Sequence, residues 1–349
     1  MTRKAPLLGV IEGFYGQPWP QESRLQMMGW LPQLGLEAYL YAPKADAVLR
    51  KQWRADWPPA HRAHLEALAR RCESSGLEFA VGLSPYALYA DYGERARAEL
   101  KHKIERIRDL GELSLALLFD DMPGELPDLA RRQLEIVHDI RHWQPDLGLR
   151  VCPTYYSDDP VLDKVFGERP RGYLEALGQG LPEGLELFWP GTQVCSPAVS
   201  REDLAPVMRD SRCSLALWDN YPVNDSRVRS DHLYLAPLDG RPGELRDCLG
   251  SHWCNAMNQP ALSLPALASL AAVYQTQPAT ETGPVFAAAG LDEELLAACL
   301  PLAREGLSTL SPPRRRELGE LAKGPGLARR ELGAWLAGTY RFDPACLTD

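Results

Sequence analysis

The sequence lacks both an excess of positive charge and any long apolar segment. Its 349 residues carry 38 Lys and Arg against 47 Asp and Glu, for a formal net charge of −9 at pH 7. A nucleic-acid-binding protein normally carries a basic stripe, so this balance argues against DNA or RNA as a partner. The longest basic run, Arg314–Arg316, is followed at once by Glu317. No run approaches the roughly 20 apolar residues of a membrane helix, and no polybasic or amphipathic segment indicates a membrane surface.

An export signal and paired cysteines are lacking as well. Two basic residues stand near the N-terminus, but the apolar run that follows, Leu7–Ile11, is too short for the core of a signal peptide. The eight cysteines are scattered and form no Cys-x-x-Cys pair, so we expect reduced thiols in a cytoplasmic protein. His61 and His64 lie one helical turn apart with no third ligand nearby. We therefore expect neither a metal nor a cofactor.

Short apolar runs alternate with helical stretches along most of the chain. Seven strands are predicted, over Leu7–Ile11, Ala38–Ala42, Glu78–Leu83, Leu113–Phe119, Leu149–Thr154, Leu185–Trp189 and Leu215–Trp218. An eighth strand is ambiguous between Leu233–Ala236 and the stretch Gly250–Ala256. Helices are predicted over Gln21–Leu34, His61–Ser75, Glu94–Leu110, Leu126–His142, Tyr173–Leu177, Arg201–Arg209 and Leu264–Tyr274.

Seven or eight repeats of a strand followed by a helix predict an α/β protein with a (β/α)8 TIM-type barrel. A doubly wound open sheet is the alternative, although no Gly-x-Gly-x-x-Gly motif follows the first strand. The segment Thr276–Gly290 is rich in Thr, Pro and Gly and is predicted to be a domain boundary. We thus expect the barrel over residues 1–278 and a small helical C-terminal region over residues 279–349.

The C-terminal region is predicted to hold two helical stretches, Leu291–Leu307 and Arg314–Ala337, broken by Pro312–Pro313 and Pro325. Three roles are open to it: it covers the cleft of the barrel, forms a dimer interface or packs on the barrel. In an acidic, compact chain we expect the last of these. The sequence does not indicate an oligomeric state.

Two adjacent carboxylates, Asp120 and Asp121, follow the apolar run Leu113–Phe119. Like charges this close push at least one pKa upward, and groups with perturbed pKa values cluster at functional sites. A βα-barrel enzyme presents its catalytic groups at strand ends in this way. Taken alone, the pair has a simpler explanation, in which one Asp caps the next helix and the other is solvated.

Polar and aromatic residues follow the other strands too. After the first strand, two glycines bracket Phe14 and Tyr15, which either allows a ligand close to the backbone or forms a tight turn with both rings packed on the rim. After the second, Lys44 either binds a ligand or pairs with Asp46. Aromatic faces with amide and carboxylate groups suit a sugar, because its ring stacks and its hydroxyls form hydrogen bonds. Such residues recur in the later segments Cys152–Tyr156, Trp189–Gly191, Trp218–Asp225 and Trp253–Pro260.

These segments closely resemble glycoside hydrolase family 84, the O-GlcNAcase-like β-N-acetylglucosaminidases. The resemblance spans about Leu7 to Tyr274. It implies a retaining exo-β-N-acetylglucosaminidase in which the 2-acetamido group of the substrate attacks and forms an oxazoline, an exception to the usual pair of flanking carboxylates. It also implies a substrate that bears N-acetylglucosamine on a protein or a glycan. The motifs, in register, are Gly9–Trp19, Tyr41–Lys44, Phe119–Asp121, Trp218–Asn220 with Asn224–Asp225, and Asn255–Asn258.

The resemblance further implies a role for each site residue. Asp120 would orient the acetamido N–H, and Asp121 would be the general acid and then the general base. Tyr156 would hydrogen-bond the acetamido carbonyl oxygen, while Trp218 walls the pocket for its methyl group and Asn220 supports the acetamido end. The other substrate-binding residues are Asp225 at O4 and O6 with Asn255 beside it, Gly13 and Lys44 near O3, and the aromatic pair Phe14 and Tyr15.

The chain departs from the family pattern at three places. Ala45 replaces an acid that often follows the Lys, Ala256 stands where the family often has Pro, and Trp189–Thr192 diverges from a Trp-Thr-Gly pattern. Three hypotheses follow: removal of the sugar from modified proteins, the same chemistry on glycan or peptidoglycan fragments, and sugar binding without turnover. The third is disfavoured because a protein that only binds needs no general acid.

Overall fold

The computed structural model describes residues 5–274, 282–340 and 342–348, and its centre is a closed barrel. Its strands are β1 (Leu7–Glu12), β2 (Ala38–Tyr41), β3 (Glu78–Leu83), β4 (Ser114–Leu118), β5 (Leu149–Cys152), β6 (Glu186–Trp189), β7 (Ser214–Asp219) and β8 (Leu249–Asn255). All neighbours pair in parallel in chain order, and β1 also pairs with β8. An open sheet would leave two edges unpaired, so the prediction of a (β/α)8 barrel is confirmed.

The eighth strand settles the ambiguity of the sequence. Leu249–Asn255 pairs with β1, with Leu7 opposite Ser251 and Leu8 opposite His252. Residues 233–236 lie instead in the loop that precedes it.

Helices alternate with the strands and continue after them. They are α1 (Gln21–Trp30), α2 (Pro59–Ser74), α3 (Glu94–Arg108), α4 (Leu129–Trp143), α5 (Pro160–Phe166), α6 (Tyr173–Gly180), α7 (Arg201–Ser211), α8 (Pro260–Val273), α9 (Thr282–Ala289), α10 (Glu293–Cys299), α11 (Pro312–Leu321) and α12 (Leu327–Leu336). The helix predicted over Gln21–Leu34 becomes a 3-10 turn at Leu31–Leu34, because Pro32 lacks an N–H and cannot continue the α-helical ladder. The short helices α5 and α9 are not predicted by the sequence pattern.

Helix α4 shows how the apolar spacing builds the outer layer. Leu129, Ile136, Val137 and Ile140 are fully buried and recur on one face of the helix. Gln133 lies on the same face and is also buried, so its amide needs a partner. The Gln133 side chain donates to Thr154 Oγ1 at 2.8 Å. This contact ties the helix to the chain just beyond β5.

An ion cluster occupies the N-terminal end of the barrel, opposite the predicted site. The Arg150 guanidinium bonds Glu186 at 2.7 Å and Glu78 at 2.6 Å, and it lies 4.7 Å from the centre of the Trp253 ring. A Cβ atom added at Gly9 would lie 2.3 Å from that ring, so only glycine fits there. These contacts at the N-terminal end of the barrel contribute to stability rather than chemistry.

The C-terminal helices pack on the barrel, as expected. The buried carboxylate of Glu331 in α12 accepts hydrogen bonds from the N–H groups of Ala261 and Leu262, at 3.1 and 3.0 Å. It therefore caps the first turn of α8. Trp335 Nε1 donates to the Ser230 carbonyl at 3.2 Å, so the same helix also supports the loop after β7.

The predicted boundary segment Thr276–Gly290 lies partly outside the described residues, as does the predicted division between residues 278 and 279. Within it, residues 282–289 form α9, whose Val285 and Ala289 are buried. Among the helices that the structure describes, none is both long enough and apolar enough to cross a membrane.

Candidate active site

A cavity of about 470 Å³ opens at the C-terminal ends of the strands. Its size is typical of a small-molecule site. Ten of the eleven predicted site residues line it: Gly13, Tyr15, Lys44, Asp120, Asp121, Tyr156, Trp218, Asn220, Asp225 and Asn255. They lie in the loops after β1, β2, β4, β5 and β7 and at the C-terminal ends of β7 and β8, which follows from the common direction of parallel barrel strands.

Phe14 is the predicted residue that the cavity lining does not include. Its side chain is 1% exposed, and its ring centre lies 5.7 Å from that of Trp19. The backbone at Gly13 turns the next side chain into the apolar interior, so Phe14 takes the alternative of a ring packed beneath the rim. Tyr15, by contrast, lines the cavity.

Both adjacent aspartates face the cavity because the backbone changes direction between them. Successive side chains of an extended strand point to opposite faces. Asp121 instead has a φ of 55°, in the left-handed region that non-glycine residues occupy at an energetic cost. This conformation brings both carboxylates to the same ammonium group, that of Lys44.

Lys44 bridges the two acids. Its Nζ bonds Asp120 Oδ2 and lies 2.9 Å from Asp121 Oδ2. The pairing of Lys44 with Asp46, which is favoured by sequence alone, does not form. Asp46 accepts instead from Tyr41 at 3.1 Å and lies 3.2 Å from His61. Asp120 and Asp121 are therefore the partners of Lys44, even though Ala45 supplies no acid.

The two aspartates differ in electrostatic environment. Burial raises the pKa of Asp120, and the nearby Asp121 adds to this, against the attraction of Lys44. Burial also acts to raise the pKa of Asp121, but Lys44 and the Tyr15 hydroxyl outweigh it and lower that pKa overall. Tyr15 donates to Asp121 Oδ2 at 2.6 Å, and Arg50 in turn donates to the Tyr15 oxygen at 3.2 Å. The surroundings therefore favour the charged form of Asp121 more than that of Asp120.

One carboxylate oxygen in the cavity is left without a partner. Asp120 Oδ1 is buried and has no hydrogen bond among the described residues. A buried acceptor without a donor costs free energy unless a ligand supplies the donor. An amide N–H is a donor of the required kind.

An amide network shapes the wall around Trp218. Asn220 Oδ1 accepts from Trp218 Nε1 and from Asn255 Nδ2, each at 3.0 Å. Asn255 Oδ1 in turn accepts from the N–H of Gly13 at 3.2 Å. A Cβ atom at Gly13 would lie 2.8 Å from the Trp218 ring. The Trp218 ring also packs edge-on against Phe188, with centres 5.1 Å apart, so the indole is fixed on several sides.

Asp225 lies at another edge of the cavity and accepts from the N–H of Tyr15 at 2.8 Å. Burial raises the pKa of its carboxyl to about 6, while the Tyr15 hydrogen bond opposes this. Asn258 stabilises the loop after β1 that contains Tyr15, because its amide donates to the carbonyls of Tyr15 and Gln17, each at 3.0 Å.

Sequence reasoning missed the group that holds the first loop. Glu12 is fully buried at the end of β1 and accepts from Arg24 at 2.7 and 2.8 Å and from the N–H of Trp19 at 3.1 Å. Tyr39 donates a further hydrogen bond at 2.5 Å. A charged residue directly after an apolar run was the available signal. Glu12 positions the loop that carries Gly13 and Tyr15.

The side chains of Asp219, His252 and Cys254 come close enough together to suggest a metal site within the described residues. The oxygens of Asp219 are already occupied, however, by Arg241 at 2.7 and 2.8 Å and by His252 at 3.1 Å. This donor set fits an internal ion pair that fastens the loop after β7.

Comparison with known proteins assigns this site to a family. The sequence profile described as NAGidase, beta-N-acetylglucosaminidase, matches residues 8–290. The chain belongs to the β-N-acetylglucosaminidase family. This membership confirms the resemblance to glycoside hydrolase family 84 and places α9 within the matched region. It also accounts for a sugar-sized cavity lined by paired acids and amides.

Two sequence relatives and one solved structure are consistent with membership of the β-N-acetylglucosaminidase family. Protein O-GlcNAcase of Rattus norvegicus and that of Mus musculus are each 31% identical over 249 residues, which is 68% of this chain. The chain spans only 26% of the length of each of these relatives. A mutant of the Thermobaculum terrenum O-GlcNAc hydrolase is similar in structure, with a TM-score of 0.76 and 26% identity, over 95% of this chain and 80% of that one.

Proposed function

We propose that the chain is a retaining exo-β-N-acetylglucosaminidase that uses the acetamido group of its substrate as the nucleophile. The unpartnered Asp120 Oδ1 carries this proposal, because it is a buried acceptor placed where a substrate N–H can donate. A carboxylate at the N–H makes the amide carbonyl oxygen more nucleophilic. Tyr156 lines the same cavity and is assigned to that carbonyl oxygen.

The shared ammonium supports participation by the substrate. In the usual retaining mechanism, two carboxylates flank the sugar about 5–5.5 Å apart, one of them as nucleophile. Here both Asp120 and Asp121 contact one atom, Lys44 Nζ. We propose that the two adjacent acids, held by this one ammonium, both act on one side of the bound sugar, so that neither is the nucleophile at the anomeric carbon.

Binding of the substrate is proposed to redistribute the charge of the pair. The amide N–H stabilises the charged form of Asp120, whose pKa burial raises in the free site. A charged Asp120 then raises the pKa of its neighbour Asp121 by like-charge repulsion. In this redistribution Asp121 takes up the proton that Asp120 loses, and then gives it to the leaving oxygen. After the oxazoline has formed, Asp121 accepts a proton from the attacking water.

We propose exo specificity on the basis of Asp225, whose carboxylate lies at one edge of the cavity. Its carboxylate is held by the Tyr15 N–H, and the residue is half-buried. A carboxylate that accepts from O4 and O6 selects a terminal sugar, since a further residue on O4 would remove the hydroxyl. The opposite wall, which includes Gln193 and Val194, is left for the aglycone.

The aglycone is proposed to be a protein side chain that carries N-acetylglucosamine, as the names of the relatives suggest. Glycan or peptidoglycan fragments are the alternative substrates, and binding without turnover is the alternative activity. Cys72, Cys152 and Cys299 are buried thiols rather than disulfides. Thiols suit a reducing compartment, so a cytoplasmic location is part of the proposal.

Hydrolysis of an aryl 2-acetamido-2-deoxy-β-glucoside tests the proposal. We expect turnover with release of the β-anomer first, detected by NMR, because two inversions at C1 retain the configuration. Release of the α-anomer would contradict substrate participation. A protein that binds the sugar without turnover would instead support the binding alternative.

The pH profile of kcat/KM is expected to have an acid limb near pH 6 that depends on Asp225. Its carboxyl has a pKa of about 6 in the free site, raised by burial. Below that pH the group is protonated and no longer accepts hydrogen bonds from two sugar hydroxyls, so kcat/KM falls. Asp225→Asn is expected to lower kcat/KM at pH 7 about 10-fold or more, as for a lost hydrogen bond to a charged group, and to remove that limb. An unchanged limb in Asp225→Asn would assign it to another group.

A further inference from the structure

The C-terminal segment 342–348 enters the candidate active site. Cys346 and Thr348 line the same cavity as Asp120 and Asp121. The Thr348 side chain faces Tyr156 across this lining and acts to lower the pKa of the Tyr156 hydroxyl, against the larger effect of burial. Leu347, between the two lining residues, is 58% exposed. After a turn at residues 344–345, residues 346–348 therefore present alternate side chains to the cavity and to solvent.

A few local contacts hold the segment in place. The N–H of Cys346 donates to the Asp343 carbonyl at 2.9 Å, and the N–H of Ala345 donates to the Asp343 carboxylate at 2.9 Å. The Arg227 guanidinium lies 4.7 Å from the centre of the Phe342 ring and fastens the segment to the loop after β7. Pro344, Ala345 and Leu347 of the segment are exposed, and exposed segments open at low free-energy cost compared with the core of a fold.

The contact with Tyr156 places the segment in competition with a ligand. The Tyr156 side chain is buried and lines the cavity together with Thr348, so the segment takes up space beside the Tyr156 hydroxyl. The proposed function assigns this hydroxyl to the acetamido carbonyl oxygen of the sugar. Thr348 also brings a methyl group and a hydroxyl to a wall that is proposed to receive an acetamido group.

We propose that residues 342–348 are an intramolecular competitor of the sugar, which withdraws from Tyr156 before substrate binds. The inference rests on the proposed function of the cavity. A binding-competent state that is only partly populated weakens apparent affinity by its population. Removal of the segment is therefore expected to lower KM about three- to tenfold while kcat is unchanged.

Three variants test this inference. A chain that ends at residue 341 lacks the segment, Thr348→Val keeps the shape of the side chain but removes its hydroxyl, and Leu347→Ala is the matched control at an exposed position. We measure KM and kcat on the aryl glycoside, the Kd of free N-acetylglucosamine by calorimetry, and thermal unfolding to check the fold. We expect KM and Kd to fall by the same factor in the shortened chain, to fall partly in Thr348→Val and to stay constant in Leu347→Ala.

Two results would overturn the inference. Equal KM and Kd in all proteins would show that the segment does not compete. A loss of kcat in the folded, shortened chain would show that the segment builds the site.

Failure of the proposed function is a separate outcome, in which the wild-type protein neither binds N-acetylglucosamine nor turns over the glycoside. In that case a synthetic peptide that spans residues 342–349, added to the shortened chain, still tests whether the segment binds in the cavity. Binding that is weakened by Tyr156→Phe supports occupation of the cavity, and no binding refutes it.

Discussion

Replacement of Asp121 by asparagine is expected to lower kcat/KM about 10²- to 10⁴-fold on glycosides with poor leaving groups, the range typical of general acid–base catalysis. Asparagine has nearly the same shape and still accepts from Tyr15, but it has no proton to give to the leaving oxygen. A nitrophenolate leaves without that proton, so its release is expected to suffer less. The measurement is kcat/KM across a series of aryl glycosides from nitrophenol to phenol.

The slope of that series separates general acid catalysis from a structural effect. In Asp121→Asn we expect a steeper dependence on the acidity of the leaving group than in the wild-type protein. Asp158→Asn is the matched control, because its carboxylate lies near the cleft but is 56% exposed, with Arg169 3.6 Å away. An equal loss on all leaving groups would contradict the assignment of Asp121 as the acid.

Replacement of Asp120 by asparagine is expected to lower kcat about 10²- to 10³-fold on every N-acetyl substrate, whatever its leaving group, comparable to the loss of one preorganised group at a developing charge. The acetamide becomes positive as its oxygen attacks, and the unpartnered Oδ1 of Asp120 is the group placed to offset that charge. The neutral amide removes most of this stabilisation. The measurement is kcat for the same aryl series.

The two variants are expected to differ in how their activity depends on the leaving group, rather than in folding. In Asp120→Asn, Lys44 keeps Asp121 as a partner at 2.9 Å, so the buried ammonium is not left uncompensated. We therefore expect thermal unfolding close to that of the Asp158→Asn control. Full activity of Asp120→Asn would contradict the participation of the acetamido group, and a strong dependence on the leaving group would move the acid role from Asp121 to Asp120.

The sequence by itself predicted the barrel and the residues that meet at its mouth. Regular alternation of apolar runs and helical stretches leaves few arrangements for parallel strands, and closure pairs β1 with β8. Since all strand ends then meet at one mouth, residues as distant in sequence as Gly13 and Asn255 were predicted together, and the N–H of Gly13 does donate to Asn255 at 3.2 Å. The resemblance to glycoside hydrolase family 84 implied the individual site residues, and barrel geometry explains why they lie at one mouth.

Only the tertiary structure decided which partner each charged or aromatic group takes. Lys44 bonds Asp120 and Asp121 rather than the nearby Asp46, because the left-handed backbone at Asp121 turns both acids toward one point. Phe14 lies in the core, although its neighbour lines the cavity. The contact of Thr348 with the cavity has no local signal at all. Such pairings depend on distances between segments far apart in the chain and on single backbone angles, which periodicity and motif spacing do not contain.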